Sequence, residues 1–360
     1  AISSYSSEEV QVDLNSFRTL STEKPLLISG GEGLVDSSGP DSFSETTSAS
    51  FSVDMAIGAV SGTGITTNDT DGQEAVEAYY GFQMDLTTSF TGEDTLAVSI
   101  DAGNAGGAVS EFDLNGPNSG IADLLSVDGV SYTFPVNGVT VMVGDNTDGS
   151  ALFSKACVYG GPSDTLSDCG SPNAPFSTAG TMVGASYDFD NGFTVAVGYE
   201  GDGSSTNGLM TDEGLDGFGA NAMYTGDTYG VSLTYASTEM ADGEDNNYTA
   251  INAYWAPEGF PSVSAGYEWG IDGSEIAAED GLTTYFLGVQ FDEVGPGTLG
   301  FAFGPKAATP EDGDQELMYE AFYDYPVNDG MTITPLIYAK ETLPGSEDLT
   351  GIMVKTSFSF

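Results

Sequence analysis

Histidine is absent from this 360-residue chain, and so is any run of eighteen apolar residues. Without histidine, Ser-His and Asp-His catalysis are excluded, along with the usual nitrogen donors for zinc. Without the apolar run, no membrane-spanning helix can form. No basic-then-apolar signal segment precedes the body of the chain, and Ala1 would suit a mature N-terminus left by cleavage. Bases are scarce: 6 Lys+Arg stand against 55 Asp+Glu, a formal net charge of −49. Such a balance repels polyanions, so no nucleic-acid partner is expected. The only cysteines, Cys157 and Cys169, lie in a Gly/Pro/Ser-rich segment with no other thiol or imidazole to complete a metal site. A disulfide made in an oxidising compartment is the expectation.

Acidity of this degree often marks disorder, but disordered chains are poor in aromatic and β-branched residues. Here 18 Tyr and 20 Phe sit among many Val and Thr. The 49 glycines follow no collagen period and suit tight turns. Residues 1–46 lack periodicity and read as an extended arm, whereas 47–360 alternate throughout. Phe51, Val53, Met55, Ile57 and Ala59 share one face, with Ser52, Asp54, Ala56 and Gly58 on the other. Val139, Val141 and Val143 alternate with Thr140, Met142 and Gly144 in the same way. That period of two belongs to strands, not helices.

The connections come in two lengths. Short ones carry turn chemistry, as at Pro135-Val136-Asn137-Gly138, Asn191-Gly192 and Asn328-Asp329-Gly330. Long ones, such as 103–125 and 146–179, are acidic and glycine-rich. Seven short turns alternate strictly with eight long loops, so fifteen connections join sixteen strands. Strict sorting by length predicts an all-β fold, a transmembrane antiparallel β-barrel of about 16 strands with short turns at one rim. Tyr187, Phe189, Phe193, Tyr229, Trp255, Trp269, Phe291 and Tyr325 lie near strand ends and form candidate aromatic girdles. The closing strand, ending on Phe360, resembles the assembly signal of bacterial outer-membrane proteins.

A barrel in lipid turns its apolar face outward, so the polar alternates line the lumen. That register places Asp54, Glu77, Asp85, Asp101, Asp188, Glu268, Glu320 and Asp324 inward, with Lys355 as the inward base. Lys340 is ambiguous, because 331–340 is apolar on both alternates. Arg18, the sole arginine, precedes the barrel. Acidic loops at Asp242-Gly243-Glu244-Asp245 and Glu311-Asp312-Gly313-Asp314 could hold Ca²⁺ or Mg²⁺, though not with EF-hand spacing. No other cofactor is expected. Nothing places two carboxylates around a cleft, so no enzyme is expected either.

Three stretches carry a family resemblance: DGVSYTFPVNGVTVMVGD (128–145), ACVYGGPSDTLSDCG (156–170) and GIMVKTSFSF (351–360). They resemble cyanobacterial outer-membrane porins, relatives of the carbohydrate-selective (OprB-like) family often labelled iron-uptake porins. The resemblance implies a homotrimer in the cell outer membrane, in contact with its lipid and lipopolysaccharide, and passive passage of small ions and solutes. Such porins often carry an S-layer-homology domain and a coiled coil after a start like Tyr5-Ser6-Ser7-Glu8-Glu9-Val10; residues 11–46 are too short for either. In sixteen-stranded porins the third external loop commonly folds inward, and here that loop is 146–179. Lys155, Tyr159, Asp164 and Asp168 are therefore the constriction candidates, with Cys157 and Cys169 pinning the loop. The expected function is a diffusion channel leaning toward cations; a channel specific for carbohydrate or iron species is the alternative.

Overall fold

The computed structural model describes the chain except residues 1–46, 63–74, 105–109, 113, 115–122, 178–179, 205, 212–213, 241–244, 272, 274–280, 311–314 and 343–347. The expected arm therefore lies outside the described residues. In the first half of the chain come β1 (Thr47–Ser61), β2 (Glu77–Thr88), β3 (Thr95–Gly103), β4 (Ser126–Val136), β5 (Val139–Asp145), β6 (Thr181–Asp188), β7 (Phe193–Gly201) and β8 (Asp216–Thr225). In the second half come β9 (Tyr229–Glu239), β10 (Asp245–Trp255), β11 (Ser262–Ile271), β12 (Leu282–Val294), β13 (Gly297–Pro305), β14 (Thr309–Pro310), β15 (Leu317–Asn328), β16 (Met331–Lys340) and β17 (Leu349–Ser359). Two-residue β14 only extends the ladder of β12 within a long connection. The other sixteen strands pair antiparallel, each with its neighbours in sequence, and β1 pairs with both β2 and β17. The sheet is thus closed, with no unpaired edge, as a strand-built membrane protein requires.

Turn chemistry sets the register. Asn137 and Gly138 both take positive φ, 51° and 86°, the left-handed geometry of a two-residue hairpin between β4 and β5. The longer turn from β2 to β3 is organised by Asp94, whose Oδ1 accepts from the backbone N–H of Phe90 and Thr91 and from Ser89 Oγ. Its Oδ2 accepts from Tyr132 Oη at 2.6 Å, tying the turn to β4.

Directly opposed residues share a face of the sheet. From Asp54 the pairs run to Gly81, and round the ring through Ala302, Glu320, Tyr338 and Gly351 back to Val60 on the same face of β1. The opposite face is apolar and open: Ile57, Val197, Phe218, Leu233, Ile337 and Ile352 are each at least 50% exposed. All eight girdle candidates are exposed too, and rings touch near the short turns, as Phe193 with Tyr224 at 4.7 Å between centroids. So much exposed apolar surface is stable against lipid rather than water.

Inside, the barrel is not uniformly polar. Phe286, Met318, Phe322, Leu336, Tyr338 and Met353, from β12 and β15–β17, form one buried apolar cluster with loop residues Phe112, Leu114, Tyr159 and Leu166. The expectation that polar alternates line the whole lumen is corrected here. On this arc the inner wall packs against loops that fill the interior, and apolar contact is what stabilises that filling.

The lumen and its folded-in loop as candidate site

The third long loop follows β5, and its described residues 146–177 run into the barrel and lie along its inner wall. Its outgoing limb is extended, and alternate amides reach polar wall residues on β8, β9, β11 and β12. Ser154 N donates to Asn221 Oδ1, Ala156 N to Ser232 Oγ, Val158 N to Ser264 Oγ and Gly160 N to Gln290 Oε1, all at 2.9–3.0 Å. A single turn, α1 (Asp164–Ser167), reverses the loop, with Ser163 as its N-cap. On the return limb, Cys169 O accepts from Asn252 Nδ2 at 2.8 Å. The Cys157–Cys169 disulfide joins the two limbs, leaving no free cysteine.

Three inward glutamates hold this loop rather than face solutes. Glu200 accepts from Gly149 N and Gly180 N, both at 2.7 Å, and so gathers the two ends. Glu268 accepts from Asn173 N, Asn173 Nδ2 and Ala174 N. Tyr159 Oη donates to Glu320 Oε1 at 2.6 Å. Glu200 is 0% exposed, Glu268 2% and Glu320 4%, so the loop covers all three. Two wall glycines let the backbone press close. A Cβ on Gly198 would collide with Gly149 O, and one on Gly266 with Cys169 O.

The constriction candidates divide by role. Lys155 Nζ donates to Asp168 O at 2.8 Å and lies 3.7 Å from Asp168 Oδ1, so this pair braces the limbs beside the disulfide. Burial pushes the Lys155 ammonium below its usual pKa, and the Asp168 charge opposes that. Burial, then the Glu320 charge, pushes the Tyr159 hydroxyl far above its usual pKa, so it remains a donor. Asp164 occupies the first turn of α1.

Among the lumen candidates, Asp54, Glu77, Asp85 and Asp101 stand on β1–β3, an arc where the loop makes none of these anchoring bonds. Asp85 Oδ1 accepts from Ser99 Oγ, and Asp101 Oδ1 from Ser126 Oγ, both at 2.6 Å. Asp54 and Lys355 line a cleft of about 440 Å³ beside the loop residues Gly161 and Pro162. Asp324 accepts from Thr334 Oγ1 at 2.5 Å on the same inner face. Asp188 is exposed at the short-turn rim, where it caps Asp190 N.

Sequence reasoning missed Glu200, although alternation with Ala196 and Gly198 places it inward. It also missed Glu111, which lies in an aperiodic loop that carries no such signal. Of the acidic loops, 241–244 and 311–314 lie outside the described residues. Among the described residues, no three His, Cys, Asp or Glu side chains cluster as metal ligands would.

A family model described as Gram-negative porin matches residues 116–339. Curated protein sequences yield no match. Solved structures do. An anion-selective porin from Comamonas acidovorans is 14% identical with a TM-score of 0.62, over 88% of this chain and 99% of the other. Pseudomonas putida OprB is 10% identical with a TM-score of 0.62, over 88% and 94%. A mutant of the Rh. blastica porin is 16% identical with a TM-score of 0.56, over 87% and 100%.

Proposed function

This chain belongs to the Gram-negative porin family and is an outer-membrane channel for small solutes; from that premise we propose passive diffusion of inorganic ions and small hydrophilic solutes with a net preference for cations. The observation that carries the preference is how the bases are used. Among the described residues, Lys155, Lys306 and Lys340 are each in an ion pair with an acid, and Lys355 on β17 shares the inner face with Asp54, Glu77, Asp85 and Asp101, so acids outnumber bases there. One carboxylate about 5 Å from a monovalent cation in water contributes roughly 0.8 kcal/mol, so a few acting together bias passage about tenfold. The Comamonas porin shares only 14% identity, hence the barrel alone, and its anion selectivity does not transfer.

A planar bilayer under a KCl gradient tests the reading. The reversal potential is expected to have the sign of K⁺ preference and to shrink as salt rises and the Debye length shortens. A potential near zero, or one favouring Cl⁻, would overturn the preference. Saturable current block by a sugar or an iron chelate at low concentration would point instead to a substrate-specific channel.

A further inference from the structure

The second long connection lies between β3 and β4, and its described residues Glu111, Phe112 and Leu114 meet the third loop at its tip inside the lumen. Glu111 of this connection is the junction. Its carbonyl accepts from Asp164 N at 2.8 Å, and its Oε1 accepts from Thr165 N at 3.3 Å. Both amides belong to the first turn of α1, where helical donors lack internal partners. Glu111 Oε2 forms an ion pair with Lys340 Nζ, and Lys340 Nζ also donates to Thr165 Oγ1 at 3.2 Å. The next residue, Phe112, forms a lone β-bridge with Ser163 and is 2% exposed. Phe112 and Leu114 lie in the apolar cluster that also holds Tyr159 and Leu166 of the third loop.

Three separate parts of the chain therefore converge on one carboxylate: the second loop supplies it, the third loop is capped by it, and β16 neutralises it. The side chains of Glu111 and Lys340 are 8% and 19% exposed, so the pair is shielded from bulk salt. A carboxylate this deep without its ammonium would be strongly disfavoured. We infer that Glu111 is a positioning residue. With Lys340 it latches the tip of the third loop, so that two loops rather than one fix the aperture. The latch rests on the diffusion-channel reading, because its effect is on current through the pore.

Single-channel recording of Lys340→Met, Lys340→Arg and Glu111→Gln tests the latch. Lys340→Met and Glu111→Gln are expected to raise open-channel noise severalfold, with brief sublevels as the tip leaves the wall. Lys340→Arg, which keeps the charge and a donor, should stay as quiet as the wild type. Because the two partners share the ion pair, the Glu111→Gln/Lys340→Met double variant should be less noisy than the two single effects added together. A quiet Lys340→Met, or noise in Lys340→Arg equal to that in Lys340→Met, would overturn the latch. If the variants fail to assemble, hydrogen exchange in the wild-type porin decides: protected Asp164 and Thr165 amides support the latch, and solvent-fast exchange there overturns it. A wild-type protein that forms no conducting pore would sink the channel reading itself. A conducting wild type with a quiet Lys340→Met sinks only the latch.

Discussion

At the scale of single residues, an inward carboxylate can act as a charge for the solute or as an acceptor for the loop, and cover decides which. Glu268 and Asp85 both face inward, yet Glu268 is buried under Asn173 and Ala174 while Asp85 is only half-buried and accepts from Ser99 of the neighbouring strand. Glu268→Ala would orphan buried backbone donors and is expected to cost about 1–3 kcal/mol, read as a lower melting temperature. Glu268→Gln should leave the reversal potential in a KCl gradient unchanged, whereas Asp85→Asn should move it toward zero; the opposite pattern would refute this division. Asp94 gives the acid response of a turn. Its bond from Tyr132 first, then those from the turn itself, hold the Asp94 carboxyl well below the usual carboxylate range. A depressed native pKa means the stabilisation is complete above the unfolded value and is lost as pH falls through the native one. Asp94→Asn should therefore be less heat-stable than the wild type at pH 7. The gap should begin to narrow below the ordinary carboxylate value, about pH 4, and close fully only in stronger acid, as pH passes the depressed native pKa; a gap that does not narrow at all on that descent would contradict this account.

At the scale of elements, the third loop is a separate body fastened to a finished ring. The barrel strands close the ring by pairing with their neighbours, while the third loop is tied to them by side chains of the wall and is braced by its own disulfide. On the chain-entropy model a loop of this size gains about 3 kcal/mol from its cross-link. Cys157→Ser/Cys169→Ser is therefore expected to keep the barrel assembled and heat-resistant on gels while open-channel noise rises. Loss of the barrel in that variant would show that the ring depends on its loop. Much of this organisation was legible in the sequence. Alternation and turn residues such as Asn137-Gly138 gave the strands, because period two and positive φ are local properties. The thiols of Cys157 and Cys169 gave the staple. The glutamate anchors were not legible as anchors, since Tyr159 and Glu320 lie 161 positions apart and nothing local marks the pair. The face of Lys340 was ambiguous because Leu336 and Tyr338 on its inner side are as apolar as Ile337 outside. An inner wall that packs against loops loses the polar signature that a water-filled lumen would impose.

At the scale of the whole molecule, the outer surface is a continuous apolar band that must meet lipid or another barrel. The resemblance noted in the sequence leads to the proposal that one wall meets two further copies in a trimer. Mass measurement in mild detergent should then give three times the 37.2 kDa chain, and a protein mass of a single chain would count against it. The interior raises a different question, which is how pore width can change without rebuilding the ring. The bare backbones at Gly198 and Gly266, where the carbonyls of Gly149 and Cys169 rest, set how far the loop stands from the wall. A single methyl at either position would push the loop toward the pore axis. Sieving by size and sorting by charge thus reside in different residues, and a lineage could narrow its channel through these two glycines while its preference among ions stayed the same.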